Sequence, residues 1–155
     1  MTSKKTGAQK FWKFLGESSF YKNMGKLHTQ VYRLSGGRIG HKTGPVKNLL
    51  LTSTGRKSGE KRTCPLTYFE DKGRFVLIAS NGGNEKHPVW YLNLTAQPRA
   101  TIAVGPRKLE IVASTAAGDE RAQLWSAAVR MNPQYAVYES ITSRQIPVVV
   151  LTPSA

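Results

Sequence analysis

Short apolar segments separated by glycine-containing turns constrain the fold of this chain more than any other feature. Each segment has the length of a strand, and none approaches the roughly 20 residues needed to span a bilayer. The six segments are 49–53, 62–69, 75–79, 100–104, 109–113 and 146–151. Most connections between them are short, which favours antiparallel pairing. Six antiparallel strands with this much branched apolar sequence favour a closed barrel over an open sheet.

Helical periodicity occurs in an N-terminal segment and in three later ones. Residues 11–34 carry apolar side chains at spacings of three and four, which predicts an amphipathic helix. A short helix is predicted over 90–94, and another is predicted to start with Asp119 as its cap and to run to about residue 131. Asn132-Pro133 predicts a further helix, with asparagine at the N-cap and proline at the first helical position.

The N-terminal helix has two open interpretations. It can pack on the barrel, or its lysines and aromatic residues can rest on an anionic membrane or cap a lipophilic pocket. Residues 1–10 are predicted to form a basic arm, and 35–44 a glycine-rich linker. The chain is therefore divided into 1–44 and a barrel domain of 45–155. Lysines interrupt the N-terminus, so no signal-peptide apolar stretch is predicted, and a cytoplasmic location follows, with the inner face of the cell membrane as a peripheral site.

The net charge of +14, from 23 basic and 9 acidic residues, predicts an anionic partner. Nucleic acid, an acidic membrane surface and a polyanionic small molecule all satisfy this requirement. No nucleic-acid-binding motif is recognisable, so nucleic acid is not expected. Cys64 is the single cysteine, which excludes an internal disulfide, and we expect a packed or ligand-adjacent thiol. The three histidines lack metal-ligand spacing, so no metal is predicted.

Two glycine-containing motifs have a chemical use. Gly55-Arg56-Lys57-Ser58-Gly59 is followed by Arg62, and arginine side chains bind phosphate or carboxylate oxygens in pairs. Ser80-Asn81-Gly82-Gly83 follows an apolar strand, where successive backbone N–H groups can bind an anion. Each motif alone is equally compatible with a solvated turn or loop. Neither has Walker A spacing, and no G-x-G-x-x-G opens a helix.

Together, these motifs and their neighbours resemble the deazaflavin-dependent nitroreductase family, split β-barrel reductases that use coenzyme F420. The matching residues, in chain order, are Thr54-Gly55-Arg56-Lys57-Ser58-Gly59, Arg62, Pro65-Leu66, Ala79-Ser80-Asn81-Gly82-Gly83, Lys86, Pro88, Trp90-Tyr91-Leu92-Asn93-Leu94, Pro98 and the ending Ile146-Pro147-Val148-Val149-Val150. The resemblance runs from about residue 46 to the C-terminus. It implies a mainly β, α+β fold: a split β-barrel with an N-terminal helix and peripheral helices.

The resemblance implies an F420H2-dependent oxidoreductase that transfers a hydride to a small lipophilic acceptor: a quinone, a nitro compound or an activated alkene. F420 carries a phosphate and a tail of glutamates, which suits the basic charge. One alternative is a split-barrel oxidoreductase that uses FMN. Another is a non-catalytic basic module that binds nucleic acid or a membrane surface. Split barrels often form homodimers, which leaves a homodimer open by analogy of fold.

The resemblance also implies roles for individual residues. Candidates for contact with the acceptor are Ser80, Tyr135 and Tyr138. Candidates for binding the cofactor are Arg56, Lys57, Ser58, Arg62, Thr63, Cys64, Pro65, Leu66, Thr67, Ile78, Ala79, Ser80, Asn81, Val89, Trp90, Tyr91 and Asn93. The chain departs from the nitroimidazole-activating member, which has tyrosines at the positions of Thr67 and Asn132. Reduction of nitroimidazoles is therefore not an implied activity.

Overall fold

A computed structural model describes residues 19–35, 42–43 and 46–154, in which six strands close into an antiparallel barrel. The barrel is formed by β2 (Val46–Thr54), β3 (Lys61–Asp71), β4 (Arg74–Ile78), β5 (Arg99–Val104), β6 (Arg107–Thr115) and β7 (Val148–Pro153), and a short strand β1 (Lys42–Thr43) pairs with β2. The sheet order is β1-β2-β3-β4-β7-β6-β5, and a further pairing of β2 with β5 closes the barrel. The predicted barrel fold is confirmed. The two-residue strand β1 lies within the segment predicted as a linker.

The interior of the barrel is filled by alternate side chains of its strands. On β2, for example, Leu49 and Leu51 are fully buried, and Ile102 of β5 packs in the same cluster. Burying a side chain of this size contributes about 1.5–3 kcal/mol, so the core fixes the register in which each strand pairs.

Strand β3 has two halves with different neighbours. Its residues 61–68 pair with β2 at eight positions, but β3 pairs with β4 only at Phe69, Glu70 and Asp71. One edge of residues 61–68 therefore has no strand partner, and this gap is the split in the barrel. Pro65 lies in this half, where a residue without an N–H group is tolerated because one strand edge is unpaired.

Four helices accompany the barrel in the described ranges: α1 (Ser19–Leu34), α2 (Val89–Ala96), α3 (Gly118–Met131) and α4 (Gln134–Ile141). None of them is both long and apolar enough to cross a bilayer. The prediction that Asp119 caps α3 is wrong. The helix begins one residue earlier because Gly118, with φ of 58°, turns the chain, and the carbonyl of Ala117 accepts the first hydrogen bond. Asp119 lies in the first turn, where its charge favours the helix dipole.

Helix α4 begins close to where the sequence predicts. Its Asn132 Oδ1 accepts a hydrogen bond of 3.1 Å from the N–H of Gln134, as an N-cap side chain does. Pro133 has helical dihedral angles, although the hydrogen-bonded helix starts at the next residue. A difference of one residue at a helix end is expected.

Helix α1 packs on the barrel through a tyrosine rather than through its apolar stripe. The hydroxyl of Tyr32, a buried residue, donates to the carbonyl of Ala103 at 3.1 Å and accepts from the N–H of Gly105 at 2.6 Å. By contrast, the predicted apolar face is exposed at Leu27, Val31 and Leu34. The sequence left the surroundings of this face open between two interpretations, because spacing defines a face but not what covers it. The predictions for residues 1–18 lie outside the described residues.

Candidate functional site

The turn between β2 and β3 is the predicted basic motif, and its backbone is closed by short hydrogen bonds. The N–H of Gly55 donates to the carbonyl of Glu60 at 2.7 Å, and the N–H of Gly59 donates to the carbonyl of Gly55 at 2.8 Å. A Cβ at Gly55 would lie 2.8 Å from Ser58 Oγ and 3.2 Å from the carbonyl oxygen of Glu60, so a larger residue would require the turn to shift. The sequence thus folds into a tight loop that leaves its basic side chains at the surface.

The charges of this turn are largely uncompensated. Arg62 pairs with Glu60 at 3.0 Å, but both side chains are more than half exposed, and such a pair contributes only about 0–1 kcal/mol. Within the described residues, Arg56 and Lys57 have no carboxylate within salt-bridge distance. An incoming phosphate or carboxylate can therefore bind this turn with little competition from the protein's own acids.

A cleft of about 410 Å³, which we call the turn cleft, opens beside this turn. Its lining residues are Ser53, Gly55, Arg56, Lys57, Ser58, Arg62, Thr63, Cys64, Val89, Trp90 and Asn93. Basic groups at the turn and apolar groups from β3 and α2 thus share one cavity. This combination suits a ligand with an anionic end and a less polar body.

A second cleft of about 500 Å³ lies at the gap in the barrel, and we call it the loop cleft. Its lining residues are Pro65, Leu66, Thr67, Leu77, Ile78, Ser80, Asn81, Gly82, Pro88, Trp90, Asn132, Tyr135 and Tyr138. The side chain of one residue, Trp90, lines both clefts. Strand β3 also runs past both, with Thr63 and Cys64 in the turn cleft and the next three residues in the loop cleft.

The loop after β4 turns sharply beside the loop cleft. Asn81 and Gly82 have positive φ angles of 47° and 62°, which make a sharp turn. Among the described residues, no hydrogen bond is formed by the N–H groups of Ser80 and Asn81, although both residues line the cleft. Successive N–H groups in such a turn form a binding site for an anionic oxygen or nitrogen.

Two tyrosines of α4, Tyr135 and Tyr138, lie at the loop cleft. Their rings meet edge to face, with 6.4 Å between centroids. Burial, with a smaller contribution from Tyr138, raises the pKa of Tyr135 to about 12. The Tyr135 phenol therefore keeps its proton at neutral pH and can donate a hydrogen bond to an acceptor molecule.

The thiol of Cys64 faces the turn cleft and is not activated. Burial raises its pKa to about 12, so it stays protonated at neutral pH. A nucleophilic cysteine needs a lowered pKa. The sequence predicts a packed or ligand-adjacent thiol; the burial agrees with the first alternative, and contact with a ligand stays a prediction. No cluster of metal-ligating side chains occurs in the described part of the chain.

The structure brings all but two of the predicted site residues into the two clefts. The exceptions are Ala79 and Tyr91. Ala79 is fully buried in the core, and only its backbone reaches the loop. Tyr91 lies in a separate cavity of about 240 Å³, and its hydroxyl is 3.1 Å from Thr115 Oγ1. Tyr91 therefore lies on a different side of α2 from Val89 and Trp90, which line the turn cleft.

Sequence reasoning missed Arg144, which lies between α4 and β7. Its guanidinium binds the loop after β4 through the carbonyls of Ala79, Ser80 and Asn84. No local pattern identifies it, because its partners are about 60 residues away in the chain. Its position two residues before the matching Ile146-Pro147 ending is the only sequence feature that could have pointed to it.

The comparisons with known proteins agree on one group of enzymes. The model of the family F420H(2)-dependent quinone reductase matches residues 24–153. An F420H(2)-dependent quinone reductase of Mycobacterium tuberculosis is 42% identical over 131 residues, which are 82% of this chain and 88% of that relative. A solved F420-H2 dependent reductase is 40% identical with a TM-score of 0.63 and covers 68% of this chain and 93% of its own. Another structure, described as a domain-swapped dimer, is 36% identical with a TM-score of 0.66 and covers 81% and 96%.

The closed barrel with one gap and two adjoining clefts defines a split β-barrel of the reductase type. The chain belongs to the F420H(2)-dependent quinone reductase family. The family resemblance found in the sequence is thereby confirmed.

Proposed function

We propose that this protein is an F420H2-dependent oxidoreductase that reduces a small lipophilic acceptor of the quinone type. Family membership supports the enzyme class and the cofactor. The observation that carries the proposal is that Trp90 and strand β3 line both clefts. One cleft has a basic mouth, the other has free N–H groups and phenols, and one strand, β3, lines both.

The turn cleft fits the anionic part of F420. Arg56, Lys57 and Ser58 would hold the phosphate and the first carboxylates of the tail, with Arg62 exchanging its weak pair with Glu60 for the ligand. Asn93 would act indirectly, because its buried amide oxygen holds the N–H of Arg56 at 3.1 Å. FMN, the alternative cofactor, has a single phosphate and would leave more of this charge unused.

The loop cleft fits the deazaflavin ring. Thr63 to Thr67 of β3 and Ile78 would lie along the ring, with Val89 and Trp90 closing the site from α2. The free N–H groups of Ser80 and Asn81 would stabilise negative charge on the ring system. Reduced F420, when bound, supplies the hydride, and the protein's contribution is to bind, orient and exclude water.

The acceptor would lie between this ring site and α4. Tyr135 is a protonated donor at neutral pH and is placed to hydrogen-bond an acceptor oxygen. Ser80 and Tyr138 line the same cleft and would complete the contacts. Thr67 and Asn132 also line it, and both are smaller than the tyrosines of the nitroimidazole-activating relative. The added width favours a fused-ring quinone as the acceptor.

A fluorescence titration of F420, with FMN in parallel, tests the cofactor. We expect binding at about micromolar concentration or tighter, and we expect FMN to bind more weakly. The double variant Arg56→Ala, Arg62→Ala should lose a hundredfold or more in affinity, since each lost charge-assisted bond costs about 1.5–3 kcal/mol and each factor of ten corresponds to about 1.4 kcal/mol. Arg99→Ala, Arg107→Ala removes the same charge from exposed positions outside both clefts and should bind normally. Tighter FMN binding, or equal losses in both double variants, would contradict the proposal.

Helix α1 supports a second proposal, peripheral contact with an anionic membrane at the inner face of the cytoplasmic membrane. Leu27 is 60% exposed and Leu34 is 89% exposed, and Val31 lies between them on the same stripe. The exposed cations Lys26 and Arg33 lie along one side of that stripe, and Arg33 also donates to Thr63 Oγ1 at 2.7 Å. Basic residues beside an exposed apolar stripe are typical of helices that rest on acidic lipid. In this proposal residues 1–44 face the membrane and 45–155 bind the cofactor.

Co-sedimentation with vesicles tests this contact. We expect the protein to bind vesicles that contain anionic lipid. The double variant Leu27→Ser, Leu34→Ser should lose this binding and keep its affinity for F420. Equal binding to neutral vesicles would contradict the role of charge.

The relative described as a domain-swapped dimer supports a homodimer as the assembly of this chain. Light scattering of the purified protein tests that assembly, and a monomeric mass would overturn it.

A further inference from the structure

The guanidinium of Arg144 makes four hydrogen bonds to one loop beside the loop cleft. Nε donates to the carbonyl of Asn84 at 2.8 Å, and one terminal nitrogen donates to the carbonyls of Ser80 at 2.8 Å and Ala79 at 3.2 Å. The other terminal nitrogen lies 3.2 Å from His87 Nδ1. All four partners belong to the loop 79–87, which leads from β4 to α2. One side chain therefore fixes the whole loop from behind.

Glu85 of loop 79–87 makes a second connection, to residues 142–147, the loop that contains Arg144. Its carboxylate accepts hydrogen bonds from the N–H of Ser143 at 3.1 Å, from Ser143 Oγ at 2.7 Å and from Thr142 Oγ1 at 3.2 Å. Glu85 also supplies a nearby negative charge that opposes the effect of burial on the pKa of Arg144. His87 is kept neutral, and so able to accept from Arg144, because burial and then the charge of Arg144 lower its pKa.

The carbonyls that Arg144 binds belong to the peptide groups that face the cleft. In a trans peptide the C=O of one residue and the N–H of the next point in opposite directions. The carbonyl of Ala79 is thus paired with the N–H of Ser80, and the carbonyl of Ser80 with the N–H of Asn81. These are the two N–H groups that have no partner among the described residues. A cation at the carbonyl end polarises the peptide and strengthens its N–H as a donor.

We propose that Arg144 is a positioning residue for hydride transfer: it holds and polarises the Ser80 and Asn81 amides so that they stabilise negative charge in the loop cleft. The inference rests on the proposed binding of F420 there. It assigns to Arg144 an effect on the ring, exerted from behind the loop without contact with the ligand. A loop with the same shape but without this cation would bind the cofactor and donate more weakly to it.

Arg144→Met and Arg144→Lys test the proposal. Met removes the charge, and Lys keeps a charge but cannot bind four acceptors in a planar fork. In both variants we expect kcat to fall about tenfold, with KM for F420H2 changed less than about threefold. The absorption band of bound oxidised F420 should also shift relative to the wild-type complex, because the donors to its ring are weaker. If either variant fails to fold, the other carries the test.

Arg121→Met is the matched control. The guanidinium of Arg121 also donates to a carbonyl of the 142–147 loop, that of Ile146, at 2.7 Å, and it lies over the Trp125 ring. In the described part of the chain it makes no hydrogen bond to loop 79–87. The Arg121→Met variant should leave kcat and the absorption band unchanged.

Amide hydrogen exchange of residues 79–87, measured without cofactor, separates an effect on the rigidity of the loop from an effect on the polarisation of its peptide groups. Faster exchange in the Arg144 variants with an unchanged band and kcat, or equal effects of the Arg121 variant, would overturn the proposal. Failure of the wild-type protein to bind F420 would instead overturn the proposed function.

Discussion

The buried side chain of Asn93 accepts, at its Oδ1, a hydrogen bond of 3.1 Å from the backbone N–H of Arg56. Asn93 lies in α2 and is 2% exposed, whereas Arg56 lies at the exposed turn after β2. The helix thereby holds the position of the cationic turn. A buried polar group in the wall of a ligand site is thus accounted for by its effect on backbone, without contact with the ligand.

Replacing Asn93 by alanine should weaken F420 binding by about threefold to tenfold. The variant removes one hydrogen bond, which contributes about 0.5–1.5 kcal/mol, and frees the turn to move. Titration of F420 and urea unfolding measure the two effects. Thr95→Ala, which removes an exposed hydroxyl bonded to the Leu92 carbonyl in the same helix, should change neither. Equal affinities for all three proteins would exclude a positioning role for Asn93.

Replacing Gly83 by alanine should displace α4 from the loop cleft. A Cβ there would lie 2.6 Å from Ile141 side-chain carbons and 3.1 Å from the Tyr138 carbonyl, at a φ of 78°. We expect a loss of about 2–4 kcal/mol in stability and of tenfold or more in kcat, from strain and overpacking together. Steady-state kinetics and thermal unfolding measure these. Gly73→Ala has a similar φ of 77° but open space around it, so it should lose stability and keep its kcat. A Gly83 variant with normal kcat would contradict the coupling of this loop to α4.

The stability of the protein should fall with rising pH in the alkaline range. Burial raises the pKa of Cys64 from 9.0, and that of Tyr135 from 10.0, to about 12. Between about pH 9 and 12 the unfolded chain loses protons that the folded chain keeps, so each group lowers the unfolding free energy by up to about 1.4 kcal/mol per pH unit. The stabilisation is fully present below pH 9. Urea unfolding at a series of pH values measures the slope.

Cys64→Ala should give a shallower slope from pH 9 upward, and Tyr135→Phe from pH 10 upward. These variants test the assignment because each deletes one titrating group. A slope identical to that of the wild-type protein in both variants would attribute the pH dependence to other groups.

Replacing Thr67 by tyrosine should narrow the loop cleft. Thr67 Oγ1 donates to Asn48 Oδ1 at 3.1 Å, and a phenol ring at this position would occupy space beside Pro65 and Leu66. Turnover of a fused-ring quinone should fall about tenfold more than turnover of a single-ring quinone, which corresponds to about 1.4 kcal/mol of lost acceptor binding. Competition kinetics with the two acceptors measure the ratio. Thr67→Val keeps the size and removes the hydrogen bond, so it should preserve the ratio. A tyrosine variant that treats both quinones alike would place the acceptor elsewhere.

Most of the barrel could be predicted because its determinants are local. The apolar run at residues 75–79 and the turn at Gly73 fix strand and hairpin within a few residues of each other. The basic turn could be predicted for the same reason, since Gly55 and Gly59 determine its shape. What escaped prediction depends on distant pairs. Arg144 acquires its role from carbonyls about 60 residues away, and a pattern of spacing cannot supply that contact.

Helix α1 shows a second limit of sequence reasoning. Periodicity placed Leu27 and Leu34 on one face, which is correct, and a buried face was one of the two predicted interpretations. The polar contacts with the barrel include Tyr32 with its two backbone partners and Arg33, which donates to Thr63 Oγ1 at 2.7 Å. The pattern of apolar residues does not reveal hydrogen bonds that attach a helix to the barrel. Amphipathicity alone could therefore not show which face of α1 contacts the barrel and which is exposed.

The half-paired strand β3 has a consequence for the protein without its cofactor. Residues 61–68 present a strand edge with no partner strand, and such edges can add a strand from another chain and begin aggregation. Lys61, Arg62 and Pro65 oppose this through charge and a missing N–H group. A ligand lying along the same edge would protect it further. In the proposed binding mode, the cofactor lies along a strand edge that has no partner strand in the described part of the chain, so we expect cofactor supply during expression to affect the yield of dispersed protein as well as its activity.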